Sequence, residues 1–498
     1  MKKNLPLIAL AITLSLLVLW PIRQTGAWYP MHDSTHVIRL LLMRTSVLSG
    51  QVPPIWADSI NAGLGYPLFQ FYAPLFHTLG TLSSFLVFPL TSAIKLIMLA
   101  SIFTGIFGVM SFSKRWGKLA AVVAGVAFAM APYAAINIYV RGAFSEYLSI
   151  ALLPWVLLTT ERITSVRKMV IAAITLCLFV LSHNLIPILA LPMILIWIFY
   201  SNRSNLKLVS GTIIFSLLLS SWFVLPLLFE RGFTQVDKIA RTTNYSLHFV
   251  QPWQLWNSTW GFGGSAPGPE DGMSFKLGKV QIVLGLVGVI FAFLQKKKSL
   301  RLLALFLFTS IFLATPFSQF IWDNSTILQI IQFPWRSLGI VTILLAIFAG
   351  FTVSRVPNRF LRSLTAGVVI VMLIFLNYKY FAPQSITSTA LDQSNISQSD
   401  IPDIARIVPE YSPSWLSTKN PEIEGSTIIP RAYYPTWVVK LDGEKVPTYP
   451  SVDGKLSFYN PANSTNYTFY QSHTSLEIFA LVVSLITLII VSKLYVKA

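Results

Sequence analysis

Cysteine is nearly missing. The 498 residues hold one, Cys177, inside an apolar run, so neither a disulfide framework nor a cysteine-based zinc site can form within the chain. Charge is scarce as well: 11% of residues are Asp, Glu, Lys or Arg, against about a quarter in ordinary soluble domains, which excludes a water-soluble globule. Walker loops, HExxH and dinucleotide fingerprints are absent, so the chain is not a nucleotide-driven pump on its own. Acidic side chains are the scarcer sign, 19 against 37 basic, for a formal net charge of +18. That excess does not point to nucleic acid. It is split into short clusters between apolar stretches, the pattern of membrane topology rather than of a binding face.

What is present is apolar: 54% of residues are hydrophobic and mean hydropathy is +0.64. A bilayer core takes about 20 apolar residues per helix, which predicts an α-helical polytopic membrane protein. Lys2 and Lys3 precede the run Leu5 to Trp20 in the manner of a signal peptide, but Pro21, Ile22 and Arg23 follow in place of a small-x-small cleavage site. The run is therefore expected to be a retained first span.

Topology turns on residues 68–112. Two spans there would put Lys114, Arg115 and Lys118 outside and invert every later loop. If instead Pro67 to Pro89 lies along the outer interface, as Gln70, Tyr72, His77 and Thr78 suit it to do, the later loops follow the positive-inside rule. Lys114/Arg115/Lys118, Arg162/Arg167/Lys168, Arg203/Lys207, Lys296/Lys297/Lys298/Arg301, Arg355/Arg359/Arg362 and Lys493/Lys497 then all lie inside. This arrangement has about twelve spans and both termini in the cytoplasm. Residues 1–381 form the transmembrane domain, with an outer loop over 21–91. Residues 475–498 form the final span and tail.

Residues 382–474 change character, becoming rich in Ser, Thr, Asn, Pro and Tyr. Ser426 to Ile429, Trp437 to Leu441, Lys455 to Tyr459 and Tyr467 to Tyr470 read as strands. Asp442-Gly443 and Asp453-Gly454 read as hairpin turns. A small, mostly-β, sandwich-like extracytoplasmic module is expected, serving as a cap or in acceptor recognition.

Ionisable groups at span ends are costly and are candidates for function. Asp33 reads equally as a helix N-cap and as a general base beside apolar surroundings. Arg141 and Glu146 read as an ion pair closing a turn around Gly142, or Arg141 as a guanidinium for a phosphate. His183 and Asn184 occupy the tip of a helical hairpin. Arg336 lies outside, against the charge bias, next to the interfacial Trp335. Asp33 and Glu146 could share a divalent ion, but two carboxylates so distant in sequence do not argue for one, and no metal is expected.

Taken together, several fragments resemble one group. They are His32-Asp33, Gly50-Gln51-Val52-Pro53-Pro54, the stretch Gly65 to Pro74, Arg141 to Glu146, Ser182-His183-Asn184, Phe333-Pro334-Trp335-Arg336, and Tyr433 to Trp437 followed by Asp442-Gly443. The group is the bacterial membrane family labelled 6-pyruvoyl-tetrahydropterin synthase-related, which is similar to YfhO-like proteins. The label does not carry pterin chemistry here, since no His-triad zinc motif with a catalytic Cys is present.

In architecture the group is similar to GT-C glycosyltransferases. That similarity implies a GT-C-like fold and transfer of a sugar from a polyprenyl-phosphate donor at the extracytoplasmic face. Asp33 matches the acidic residue after span one, and Pro67 to Pro89 matches the lying helix. The resemblance thus implies inverting transfer with Asp33 as base, and Arg141, Arg336 and His183 on the donor phosphate. His32, His36, Tyr66, Tyr72, Glu146, Asn184 and Trp335 would stand near the substrate. The implied partners are a polyprenyl-phosphate-linked sugar, a cell-envelope glycan, lipid or protein acceptor, and membrane lipids, with no nucleic acid. The rival readings are a lipid-linked glycan flippase and a non-catalytic scaffold for the outer module.

Overall fold

The computed structural model describes residues 4–87, 89–239, 243–268, 270–387 and 409–497. Its centre is the helix Leu338–Ser354, every residue of which is buried. The helices Lys118–Ala129, Lys279–Leu294, Lys298–Ala314 and Leu90–Ser113 pack around it. The Ala-rich sequence of Lys118–Ala129 explains part of that approach. A Cβ on Gly350 would stand 2.4 Å from the Ala120 carbonyl oxygen, so only glycine lets these two backbones come so close.

At the periphery the pattern reverses. Phe375 is 80% and Val371 65% exposed on the helix Arg359–Asn377, and Ile489 is 56% exposed on Ser475–Lys497. Apolar side chains facing outward along whole helices are stable against lipid chains, not water.

Six helices among the described residues are long and apolar enough to cross a bilayer, or up to eight if each of two bent pairs counts as one span. The expected dozen is not reached. The remaining helices Phe144–Thr159, Ile186–Ser201 and Lys279–Leu294 have 16 residues each and Val166–Ser182 has 17, short of the roughly 20 that a bilayer core takes. Both bends fall at a proline that opens the second helix: 45° before Pro132 and 90° before Pro316.

Among the described residues of 67–89 no span is found. They break into the helices Leu68–Phe71 and Leu75–Ser84, and the longer reaches only about 15 Å at ~1.5 Å per residue.

The six basic loops gather at one end. Lys114 bonds Asn4, Arg115 pairs with Glu161, Asn202 bonds the backbone of Thr160 and Ile163, and Arg167 bonds Tyr495. Trp116 packs on Phe351, and Arg355 bonds Gln295. The first loop, the His183-Asn184 turn and the β region meet at the opposite end, called here the module end.

Strand is the main regular structure between residues 409 and 474, apart from two short 3₁₀ turns. The strands are β1 (Ser426–Ala432), β2 (Trp437–Leu441), β3 (Glu444–Val446), β4 (Thr448–Pro450), β5 (Lys455–Tyr459) and β6 (Tyr467–Gln471). They form two antiparallel three-stranded sheets, in the orders β1-β5-β4 and β3-β2-β6. Leu441 pairs with Glu444 across Asp442 and Gly443, whose φ values of 50° and 88° make the two-residue turn that Asp-Gly favours. The expected boundary at residue 382 falls just before residues 388–408, which lie outside the described set.

The module has no core of its own. Ile429, Trp437, Val439, Leu456 and Phe458 share one apolar cluster with Trp56, Tyr66, Phe69 and Phe71 of the first loop. Ala432 N–H donates to the Leu64 carbonyl at 2.7 Å.

Candidate functional site

The first loop is fastened to the segment around Arg141. His32 N–H donates to the Val140 carbonyl at 3.1 Å, and Asp33 N–H to the Arg141 carbonyl at 2.8 Å. His36 Nε2 bonds the Gly142 carbonyl at 2.5 Å. Gly142 has φ 66°, and a Cβ there would meet Met31 Sδ at 2.4 Å, so the turn admits only glycine without strain. Just before it, Ile136–Val140 forms a π-helical turn. Such turns recur at functional sites because they re-aim side chains.

These contacts frame a cavity of about 460 Å³ at the module end. Asp33, Arg141, His183 and Arg336, which come from four separate segments, all line it. His32, Tyr72, Glu146 and Asn184 line it too, together with Arg39, Arg231, Asp237, Glu410 and Tyr411.

Glu146 is the electrostatic centre. It is 1% exposed and sits in the first turn of its helix, where the dipole favours a carboxylate. Arg141 Nη1 and Nη2 donate to its two oxygens at 2.6 and 2.8 Å. Arg336 Nε stands 3.4 Å from Oε2, and Arg336 Nη1 donates to the Ile331 carbonyl at 2.7 Å. Arg141 also donates to Asn137 Oδ1 at 2.5 Å and lies over the Trp335 ring, 4.3 Å from its centroid. The fork that would grip a phosphate therefore already grips Glu146.

His183 is not a cation. Burial pushes it down to about 3, with Glu146 offsetting part of the shift. Its Nδ1 accepts from the Leu185 and Ile186 N–H groups at 3.1 Å each. The ring thus caps the next helix, and its proton is on Nε2, 4.0 Å from Glu146 Oε2. Asn184 Nδ2 donates to the Phe71 carbonyl at 2.7 Å, while its buried Oδ1 has no partner.

Asp33 does not cap a helix. The cap position of His36–Leu48 is Thr35, without a side-chain bond. Asp33 is exposed at the cavity, and among the described residues its carboxylate joins no hydrogen bond or ion pair. His32, exposed beside it, bonds the Phe262 carbonyl at 3.0 Å.

Three expected substrate neighbours stand elsewhere. Tyr66 is fully buried between the first loop and the module, because the apolar sheet face needs a ring to close on. His36 is buried against Phe144 and stacked on His77, and burial lowers it to about 4. Trp335 lies behind the cavity wall, 4% exposed, under Arg141. Among the described residues no three His, Cys, Asp or Glu side chains gather as a metal site would require.

Sequence reasoning missed Arg39, Arg231 and Glu410. Glu410 gives no linear signal: burial raises its carboxyl above the usual range, and that burial comes from distant segments. Arg39 does give one, as the lone charge in Val37-Ile38-Arg39-Leu40-Leu41-Leu42-Met43.

Residues 69–384 match a family model described as the 6-pyruvoyl-tetrahydropterin synthase related domain, membrane protein. No curated protein matches the chain. Among solved structures, the fold is similar to ArnT from Cupriavidus metallidurans bound to undecaprenyl phosphate, with 17% identity and a TM-score of 0.41. That match covers 74% of this chain and 63% of the other, so the chain spans less than two thirds of that protein.

Proposed function

This chain belongs to the 6-pyruvoyl-tetrahydropterin synthase-related family of membrane proteins, and from that premise we propose that it is a GT-C-like glycosyltransferase. It takes a sugar from a polyprenyl-phosphate donor at the extracytoplasmic face, which is the module end, and both termini are cytoplasmic. The gathering of the basic loops at the other end supports this orientation.

The observation that carries the reading is the division of labour in the cavity. One carboxylate, Asp33, is unbonded, while Glu146 is held by arginines. In the proposed step Asp33 takes the proton of an acceptor hydroxyl, whose oxygen bonds the anomeric carbon with inversion. The bond from that carbon to the phosphate oxygen breaks, and the phosphate leaves with the electron pair. Arginine charge in a water-poor cleft stabilises that leaving group without reorganising. Arg336 is placed to serve from the wall, the His183 Nε2–H is a neutral donor beside it, and Arg141 holds Glu146 in position. Tyr72 offers a ring for the sugar. Ile188 and Leu228 line the cavity and are 39% and 53% exposed, apolar lining that suits a donor carrying a lipid tail.

The test is Asp33→Asn, assayed by transfer of labelled sugar from a polyprenyl-phosphate donor to the envelope fraction. General-base loss lowers the rate by about 10²–10⁴-fold. Transfer at the wild-type rate removes Asp33 as base. Wild-type protein that moves lipid-linked sugar across vesicles without transferring it makes the chain a flippase.

A further inference from the structure

One buried cation in the cavity has no ion-pair partner among the described residues. Arg39 is 3% exposed, and its guanidinium lies over the Tyr72 ring at 4.3 Å from the centroid. Its Nε and Nη1 are buried without a hydrogen-bond partner. Among the described residues no carboxylate comes within ion-pair distance of it. The other three arginines of the cavity are engaged: Arg141 and Arg336 with Glu146, and Arg231 with Asp237 at 3.4 Å.

An uncompensated charge in a poorly solvated place is unfavourable. It persists where a ligand of opposite charge completes it. The guanidinium is planar, with donors in a fixed fork suited to two oxygens of one phosphate. Stacking on Tyr72 fixes the plane of that fork, so little side-chain freedom remains to be lost on binding.

We propose that Arg39, through its guanidinium, binds the phosphate of the cavity's ligand alongside Arg336, while the Arg141–Glu146 pair holds the wall behind it. This rests on the reading of the cavity as a phosphate-donor site and assigns the anion to a residue outside the set expected from the resemblance. The shared chemistry is a phosphate group, carried by a lipid or free. Ile188 and Leu228 in the same cavity lining favour the lipid.

The experiment uses the full chain in nanodiscs and three probes: a polyprenyl monophosphate, the corresponding polyprenol, and inorganic phosphate. Arg39→Gln is expected to lower affinity for the polyprenyl phosphate by about tenfold or more, or about 1.4 kcal/mol, and to leave polyprenol binding unchanged. Arg39→Lys keeps the charge but not the fork and should fall between the two. If inorganic phosphate binds with the same dependence on Arg39, the inference holds with free phosphate as the source. Removing an unpaired buried charge should also leave the thermal midpoint at or above that of the wild type.

Wild-type affinity for the polyprenyl phosphate in Arg39→Gln overturns the inference and spares the cavity's assignment as a lipid-phosphate site. A lowered midpoint with equal loss of polyprenol and polyprenyl phosphate makes Arg39 structural, which also overturns it. Wild-type protein that binds none of the three probes removes the phosphate-site reading itself, and the role of Arg39 with it.

Discussion

The two ends of the helical bundle carry the same kind of ion pair in opposite settings. At the basic end, Arg115 and Glu161 approach to 2.7 Å with side chains 30% and 20% exposed. At the module end, Arg141 and Glu146 approach to 2.6 Å with side chains 8% and 1% exposed. Distance alone would rank them equal. Solvent separates them, because water and salt screen the first pair and leave the second to its protein partners. On the orientation proposed above, charge at the basic end faces the cytoplasm. At the module end it builds a cavity wall.

The largest expected effect is all-or-none. On a Cys177→Ser background, cysteines placed at the exposed Ser165 and Ser417 should label from opposite sides of an intact cell, Ser417 from outside. Labelling of both from one side breaks the comparison at its root.

The next effect concerns the pairs themselves. Glu146→Gln leaves two arginines facing a neutral group in a buried wall, and unfolding in detergent should show a loss of about 3–5 kcal/mol. Glu161→Gln should cost less than about 1 kcal/mol. Similar losses for the two variants would mean that burial does not distinguish the ends.

A smaller effect sharpens the contrast within the module end. Glu230 accepts from Gln70 Nε2 and Thr474 Oγ1, both at 2.5 Å, but among the described residues has no cation partner. Burial, opposed in part by Thr474 and reinforced by Glu477, pushes its carboxyl from 4.5 up to about 7. An acid with a raised folded pKa binds its proton more tightly in the fold than in the unfolded chain. Its effect is therefore most favourable below pH 4.5, and stability is lost as pH rises from 4.5 through 7. Glu230→Gln should remove that slope, seen as unfolding midpoints that diverge from wild type only toward the upper end of the window. Parallel curves would show that Glu230 is solvated after all.

The sequence made some of this legible and hid the rest for physical reasons. Long apolar runs declare spans. Alternation around Trp437 and Phe458, with Asp-Gly between strands, located β2 and β5 to the residue. β3 and β4 were missed because three residues cannot show alternation, and β4 ends in Pro450. The dozen spans are not confirmed, because the 16- and 17-residue helices fall short of the roughly 20 residues that a bilayer core takes.

Asp33, Arg141, His183 and Arg336 could be nominated because charge at a span end is expensive. What each does there depends on a partner that linear order does not reveal. His183 lost its charge to burial, Arg141 lost its fork to Glu146, and Tyr66 and His36 were claimed by packing. Arg39 was overlooked although it is the lone charge in an apolar stretch of the helix His36–Leu48, a signal that linear order does carry.

The shared core of the first loop and the module also sets a timetable. Gly63 and Leu64 bond Arg431 and Ala432, 368 residues later in the chain. At about 5–20 residues per second, synthesis of that interval takes on the order of tens of seconds. During that time the rings of Trp56 and Tyr66 wait without their final neighbours, while the spans between are threaded into the bilayer. Glu410 and Tyr411, which line the cavity, arrive in the same late stretch. The pocket is finished last, so a ribosome that stops early leaves a bundle of spans without a complete site.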